Sequence, residues 1–391
     1  MQTEMSVIEK FRALVPFVLL APLSLGVVAP ACGSYTTGAT SSTGGSTSGS
    51  GGSASSSGGS TSSTGGTVSS AGLPCDVLQR SGHPCVSAHS TVRALVSGYS
   101  GSLYQVKLPN GTTKDIGIVD GYADAASQDA VCSGGGCVVT IIYDQSPQKN
   151  DLTPAPPGGA KPTPGNPANA ADLKVTINGR AVYGLLFRPG MGYRKLIGSG
   201  TAVGDEPETM YMVSSQKDLI NGCCFDYGNA ETSAHDDGNG TMEAVYLGLG
   251  VIWGSGVQGG PWAMADLENG LYAGWENGQD RNISTNTPLK HDFVTAAVVG
   301  YASTVQPGGR FAVYGGDATS GPLKTMYDGI RPAKPGYVPM QKQGSVILSI
   351  GGDNSDFDGG RFYEGVMANG AATKETVDAL QANIVAAGYG K

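Results

Sequence analysis

Between residues 71 and 391 the apolar residues come in short runs, with Gly, Asn, Asp or Pro at or near their ends. Residues 140–143, 242–249, 263–267, 293–299, 311–314 and 346–350 alternate or stay apolar for a few residues and then break off. Runs of this length with a period of two are strands rather than helices. Many short strands with turn signals between them predict an all-β chain folded as a β-sandwich. One segment departs from the pattern: Val377, Leu380, Ile384 and Val385 share a helical face, and Gly388 follows as a stop, so a short C-terminal helix is expected. The proline-rich stretch 153–167 reads as a long surface loop. No internal repeat is evident.

Composition narrows the partners. The 391 residues include 62 Gly but only 14% charged residues, against roughly 25% in ordinary soluble domains. Net charge is −8 and Lys and Arg are not clustered. That lacks the electrostatic footprint of a nucleic-acid binder or a polybasic membrane-surface protein. Neutral polar partners such as carbohydrate fit better.

The N-terminus supplies an address. Lys10 and Arg12 precede an apolar run from Ala13 to Val28 broken by Pro16 and Pro22, the order of a secretory signal, which places residues 1–31 in a signal peptide. Cys32 follows small residues at the end of that run, as in a bacterial lipoprotein cleavage box, although Ala29 and Pro30 depart from the usual pattern. Residues 32–70 are expected to be a flexible linker, in which residues 35–70 are almost wholly Gly, Ser and Thr and have a reach of roughly 30–36 Å. Residues 71–391 form one folded unit. The expected location is extracellular or at the cell surface, with a lipid anchor at Cys32.

Without Cys32, six cysteines remain: 75, 85, 132, 137, 223 and 224. Six allow 15 connectivities. Proximity suggests Cys75 with Cys85 and Cys132 with Cys137. Cys223 and Cys224 then bridge each other or two distant partners. The first option is unusual, because disulfides prefer Cα atoms about 4.4–6.8 Å apart and neighbours across a trans peptide sit about 3.8 Å apart. A metal site is not expected: CxxC spacing is missing and His83, His89, His235 and His291 are scattered.

Two motifs mislead. Residues 254–259 satisfy G-x-G-x-x-G, but Gly260-Pro261-Trp262 follows where a phosphate-binding helix would open. Residues 353–360, DNSDFDGG, are dense in acid yet lack the alternating ligands and closing glutamate of a calcium loop. Two others carry more. If PWAMADLENG (261–270) is a strand throughout, Trp262, Met264, Asp266 and Glu268 share one face. Trp253 lies just upstream, and carboxylates beside aromatic rings are the chemistry of a sugar site; the plain alternative is a solvent-facing acidic edge. SVILSIGGDN (345–354) is an apolar strand ending in two glycines and Asp353, where backbone can approach a ligand closely. Glycoside hydrolysis needs two carboxyl groups flanking one bond, and Glu268 and Asp353 are the candidates.

Several uncommon strings occur together and in one order: AHSTVRAL, SGSLYQV, YADAASQDAVC, VTIIYDQS, APPGG, CCFDYGNAET, MEAVYLG, WAMADLENG, FVTAAV and SIGGDNS. From about Leu73 to the C-terminus the chain resembles the catalytic domain of glycoside hydrolase family 54, the α-L-arabinofuranosidases. The resemblance implies a concanavalin-like, jelly-roll type β-sandwich and a retaining double displacement. It implies Glu268 as nucleophile and Asp353 as general acid/base. It further implies Asp266, Asn269, Gly352 and Trp253 as sugar contacts, and Cys223–Cys224 as a vicinal disulfide packed against the arabinose. Cys75–Cys85 and Cys132–Cys137 match the other family bridges.

Gly270 departs from the family, which can carry a second Asn there. Fungal members also continue into an arabinose-binding β-trefoil beyond the point matching Lys391, so either weaker engagement of polymer or placement by the tether is expected here. The expected activity is exo release of terminal α-L-arabinofuranosyl groups from arabinan, arabinoxylan or their oligosaccharides, by a monomer without cofactor. The rival expectation is a non-catalytic, lectin-like carbohydrate binder on the same sandwich.

Overall fold

The computed structural model describes residues 72–250 and 254–391. The signal, Cys32 and the linker lie outside the described residues, as does Trp253.

Two antiparallel sheets carry the architecture. One has six strands in the order Cys85–Ser90, Glu364–Asn369, Glu208–Ser214, Val294–Tyr301, Arg310–Asp317, Lys324–Ile330. The other has seven, in the order Leu271–Tyr272, Trp262–Asp266, Glu243–Gly248, Asp226–Ala230, Ser345–Leu348, Tyr193–Lys195, Thr153–Pro154. Strands Glu243–Gly248 and Trp262–Asp266 of the second sheet pack on Val294–Tyr301 and Arg310–Asp317 of the first. Faces so joined make the expected sandwich. Each apolar run named from the sequence falls on a strand. The central strands Glu208–Ser214, Asp226–Ala230, Glu243–Gly248 and Trp262–Asp266 are buried along their whole length.

The C-terminal helix spans Lys374–Ala386; the Thr373 hydroxyl caps it by accepting from Thr376 N, and Gly388 follows with φ +79°. Val377, Leu380 and Ile384 are buried beneath it. Two helices were not expected, Pro74–Arg80 and Ala125–Val131. Both are only two turns long, too short to show a 3.6-residue period. The proline-rich loop is also not wholly a loop: Thr153–Pro154 add an edge strand against Tyr193 and Arg194, a position that tolerates Pro because an edge needs fewer N–H donors.

The disulfides pair Cys75 with Cys85, Cys132 with Cys137, and Cys223 with Cys224. The adjacent cysteines therefore bridge each other, with Cα atoms 2.9 Å apart across a cis peptide.

Candidate active site

Three strands of the seven-stranded sheet deliver the site, two of them neighbours and the third separated from them by one strand. Glu268 follows Trp262–Asp266, the disulfide precedes Asp226–Ala230, and Asp353 follows Ser345–Leu348. Beyond Ser345–Leu348 the chain turns back across Arg194, whose guanidinium donates to Gly352 O at 2.7 Å and Asn354 Oδ1 at 2.6 Å. Asp353 is held between those two anchors, and its Oδ1 accepts from Ser355 N at 2.9 Å.

The result is a cavity of about 210 Å³ lined by Cys223, Cys224, Asp266, Glu268, Gly352 and Asp353, with Asn269 at its wall. Pockets for drug-sized ligands run to roughly 300–1,000 Å³, so this one suits a single small sugar. Asp266 and Glu268 are 4% and 6% exposed, which removes the reading of an acidic surface edge. Cys224 Sγ lies 3.8 Å from Ser355 Oγ, placing the disulfide beside the Asp353 turn. The disulfide sulfurs also sit close to Asp266 in an arrangement with metal-ligand spacing, but bonded sulfurs are not thiolates and bind metal weakly.

The strand reading of PWAMADLENG fails at its end. The strand stops at Asp266, and Glu268 and Asn269 turn left-handed with φ +65° and +53°. Asp266 Oδ1 accepts from Glu268 N at 3.1 Å, and the Tyr337 hydroxyl lies 3.0 Å from Leu267 O and 2.9 Å from Glu268 O. The two carboxylates meet through this turn, not through strand alternation. A Cβ at Gly270 would run into the Tyr272 ring, so this backbone leaves no room for Asn there. Of the misleading motifs, the G-x-G-x-x-G segment leads into strand Trp262–Asp266 and no helix. In the acidic turn Asp356 pairs with Lys161, and Asp358 accepts from the Tyr246 hydroxyl at 3.0 Å.

Reading the sequence missed Asp226, Glu231 and Arg194, all buried. Burial first, then the Asp266 carboxyl, pushes Asp226 well above the ordinary carboxylate range. Asp266 is pushed up to about 7, chiefly by burial, although hydrogen bonds from Asp226 and Glu268 N favour its charge. Glu268 is pushed up to about 11, first by burial and then by a hydrogen bond with Glu231. Arg194 is lowered to about 10 by burial, against the pull of Glu231, Asp353 and Glu268. Nothing in CCFDYGNAET marks Glu231 as special, because its surroundings depend on where strand Trp262–Asp266, two strands later, brings Glu268.

The family model for the catalytic part of α-L-arabinofuranosidase B matches residues 74–390. A probable α-L-arabinofuranosidase B of Aspergillus fumigatus is 50% identical over 323 residues, covering 81% of this chain and 62% of that protein. An α-L-arabinofuranosidase of Hypocrea jecorina is 50% identical over 322 residues, covering 81% and 63%. The chain thus spans about three fifths of the length of these curated relatives. A solved arabinofuranosidase complexed with arabinofuranosyl-α-1,2-xylobiose superposes with TM-score 0.76 at 47% identity, covering 81% of this chain and 65% of that one. With this fold, and with so much of its length matched, the chain belongs to the α-L-arabinofuranosidase B catalytic family.

Proposed function

We propose that the protein is a retaining, exo-acting α-L-arabinofuranosidase that removes terminal arabinofuranosyl groups from arabinan, arabinoxylan or related oligosaccharides. One observation carries this reading: Glu268, Asp353 and the Cys223–Cys224 sulfur pair line a single small cavity. Glu268 attacks the anomeric carbon while Asp353 protonates the departing oxygen. Asp353 then takes a proton from the incoming water, which displaces Glu268 and regenerates both groups. Asp266, Asn269 and the Gly352 backbone hold sugar hydroxyls, and the disulfide offers an apolar face to the ring. A pocket closed around one sugar favours chain ends and side groups over internal bonds. A solved relative holds an arabinofuranosyl-xylobiose, which agrees with arabinoxylan side groups as substrate.

The test is release of 4-nitrophenol from its α-L-arabinofuranoside, with Glu268→Ala and Asp353→Ala as controls and proton NMR of the first-formed arabinose anomer. Retained configuration and loss of turnover in both variants support the reading. Sugar binding without turnover by the wild type would favour the lectin-like alternative, and inverted product would remove Glu268 as nucleophile.

We also infer export through residues 1–31 and lipid anchorage at Cys32, with residues 32–70 as a tether. Metabolic labelling with a fatty-acid analogue should mark the wild type and not Cys32→Ser. Equal labelling of both would exclude that anchor.

A further inference from the structure

We propose that Glu231 is the positioning residue and proton partner of Glu268, the two carboxyl groups holding one proton between them. The inference rests on the glycosidase reading above and deepens it.

Geometry comes first. Glu231 is fully buried directly after strand Asp226–Ala230. Its Oε1 accepts from the Thr241 hydroxyl at 2.5 Å, and its backbone oxygen accepts from Arg194. Apart from each other's carboxyl group, Oε2 of Glu231 and Oε2 of Glu268 have no hydrogen-bond partner. These two orphaned oxygens converge on one point: a Cβ added to Gly352 would collide with Oε2 of Glu231 and come within 2.6 Å of Oε2 of Glu268. Buried oxygens left unpaired are costly, and two carboxylates in contact cannot both ionise easily. A single proton between them satisfies both oxygens at once. It also explains why position 352 is glycine, since the pair fills the space a side chain would need.

The surroundings enforce the sharing. Asp266 and Asp236 face Glu268, Asp226 and the Tyr337 hydroxyl lie close to it, and Asp353 adds another carboxyl group. Against them stands Arg194, with Asp237 also drawing on its charge. So many acids around one guanidinium favour proton retention. Glu268 must nevertheless be anionic to attack. If its proton crosses the hydrogen bond to Glu231, Glu268 becomes the anion while the pair's net charge stays the same. Glu231 then donates back to Oε2 of Glu268 and fixes its aim. When Glu268 forms its ester, the proton stays on Glu231, ready for the returning carboxylate.

The experiment compares wild type, Glu231→Gln and Glu231→Ala, using 4-nitrophenyl α-L-arabinofuranoside for kinetics and carbon-13 carboxyl-labelled glutamate for NMR titration. Glutamine keeps a donor toward Glu268, so kcat should stay within about tenfold of wild type. Alanine should lower kcat by roughly 10²-fold with little change in KM. The Glu268 carboxyl signal should follow two titration steps in wild type, and the upper step should vanish in Glu231→Gln. Wild-type kcat in the alanine variant, or identical Glu268 titrations in wild type and Glu231→Gln, would overturn the proposal. If the wild type fails to hydrolyse the arabinofuranoside, the glycosidase reading falls, while the titration still decides whether the two groups share a proton.

Discussion

Two buried acidic clusters in this molecule are built on opposite plans. In one, the Glu364 carboxylate accepts from Arg93 at 2.5 and 2.7 Å, from the Tyr211 hydroxyl at 3.0 Å and from the Tyr389 hydroxyl at 2.7 Å. The third arm of Arg93 reaches Asn383 Oδ1 at 3.1 Å. Each carboxylate oxygen there has two donors, and the cluster ties the sheet to the C-terminal helix. In the other cluster, Glu231, Glu268 and Asp353 draw on Arg194, Asp226 and Asp266 lie beside them, and apart from the acids themselves neither Asp226 oxygen nor Oε2 of Glu231 or Glu268 has a partner. The first plan satisfies charge and stabilises the fold. The second leaves charge unsatisfied, and that tension is available to a substrate. Burial alone does not separate these two clusters, and unpaired oxygens do so only together with a cavity, since Glu208 and Glu243 around Lys342 also keep one unpaired oxygen each.

The strongest way to break this contrast is to neutralise one charged group in each cluster. Glu268→Gln should lower kcat by on the order of 10³–10⁴-fold and leave thermal stability equal or higher, because it removes a crowded buried carboxyl group. Arg93→Met should do the reverse. Stripping the cation from Glu364 should cost about 3–5 kcal/mol in urea unfolding, with kcat of the folded protein unchanged. If Glu268→Gln unfolds the protein, or Arg93→Met abolishes catalysis without destabilising it, the division of labour is wrong.

Most of the fold was legible because strand pattern and turn residues are local. The apolar run at 346–350 became strand Ser345–Leu348, and the face formed by Val377, Leu380 and Ile384 became the helix Lys374–Ala386. The short helices Pro74–Arg80 and Ala125–Val131 were hidden by their length. The site was legible as motifs but not as a mechanism. ADLENG and GGDNS could be recognised, yet the left-handed turn at Glu268 contradicts the strand alternation read from them. Glu231 and Arg194 escaped altogether. One acid and one base in unremarkable strings become important only when Gly352, more than 120 residues away from Glu231 in sequence, brings a side-chain-free surface against them.

The same contrast has a pH signature. Asp266 is raised to about 7 in the folded protein from an ordinary value of 3.8. The folded state therefore binds its proton more tightly than the unfolded state, and stability falls as pH rises from about 4 to about 7. Thermal midpoints of wild type should decline across that window through this group, and Asp266→Asn should flatten the decline. An unchanged slope in the variant would mean that Asp266 ionises as freely in the folded chain as in the unfolded one.

The smallest expected effect tests how the unsatisfied cluster is aimed. The Thr241 hydroxyl donates to Oε1 of Glu231 and lies 3.3 Å from Gly238 O, so it fixes which oxygen of Glu231 turns toward Glu268. Thr241→Val keeps the side-chain shape and removes this donor. A hydrogen bond of this kind contributes about 0.5–1.5 kcal/mol, and 1.4 kcal/mol corresponds to about tenfold in rate. A two- to tenfold fall in kcat is therefore expected, with KM little changed, because the lost interaction acts on Glu268 through Glu231 and does not reach the cavity directly. Combining Thr241→Val with Glu231→Gln separates the two roles. If the hydroxyl acts through Glu231, the double variant should be no slower than Glu231→Gln alone; if Thr241 acts on the substrate directly, the two losses multiply.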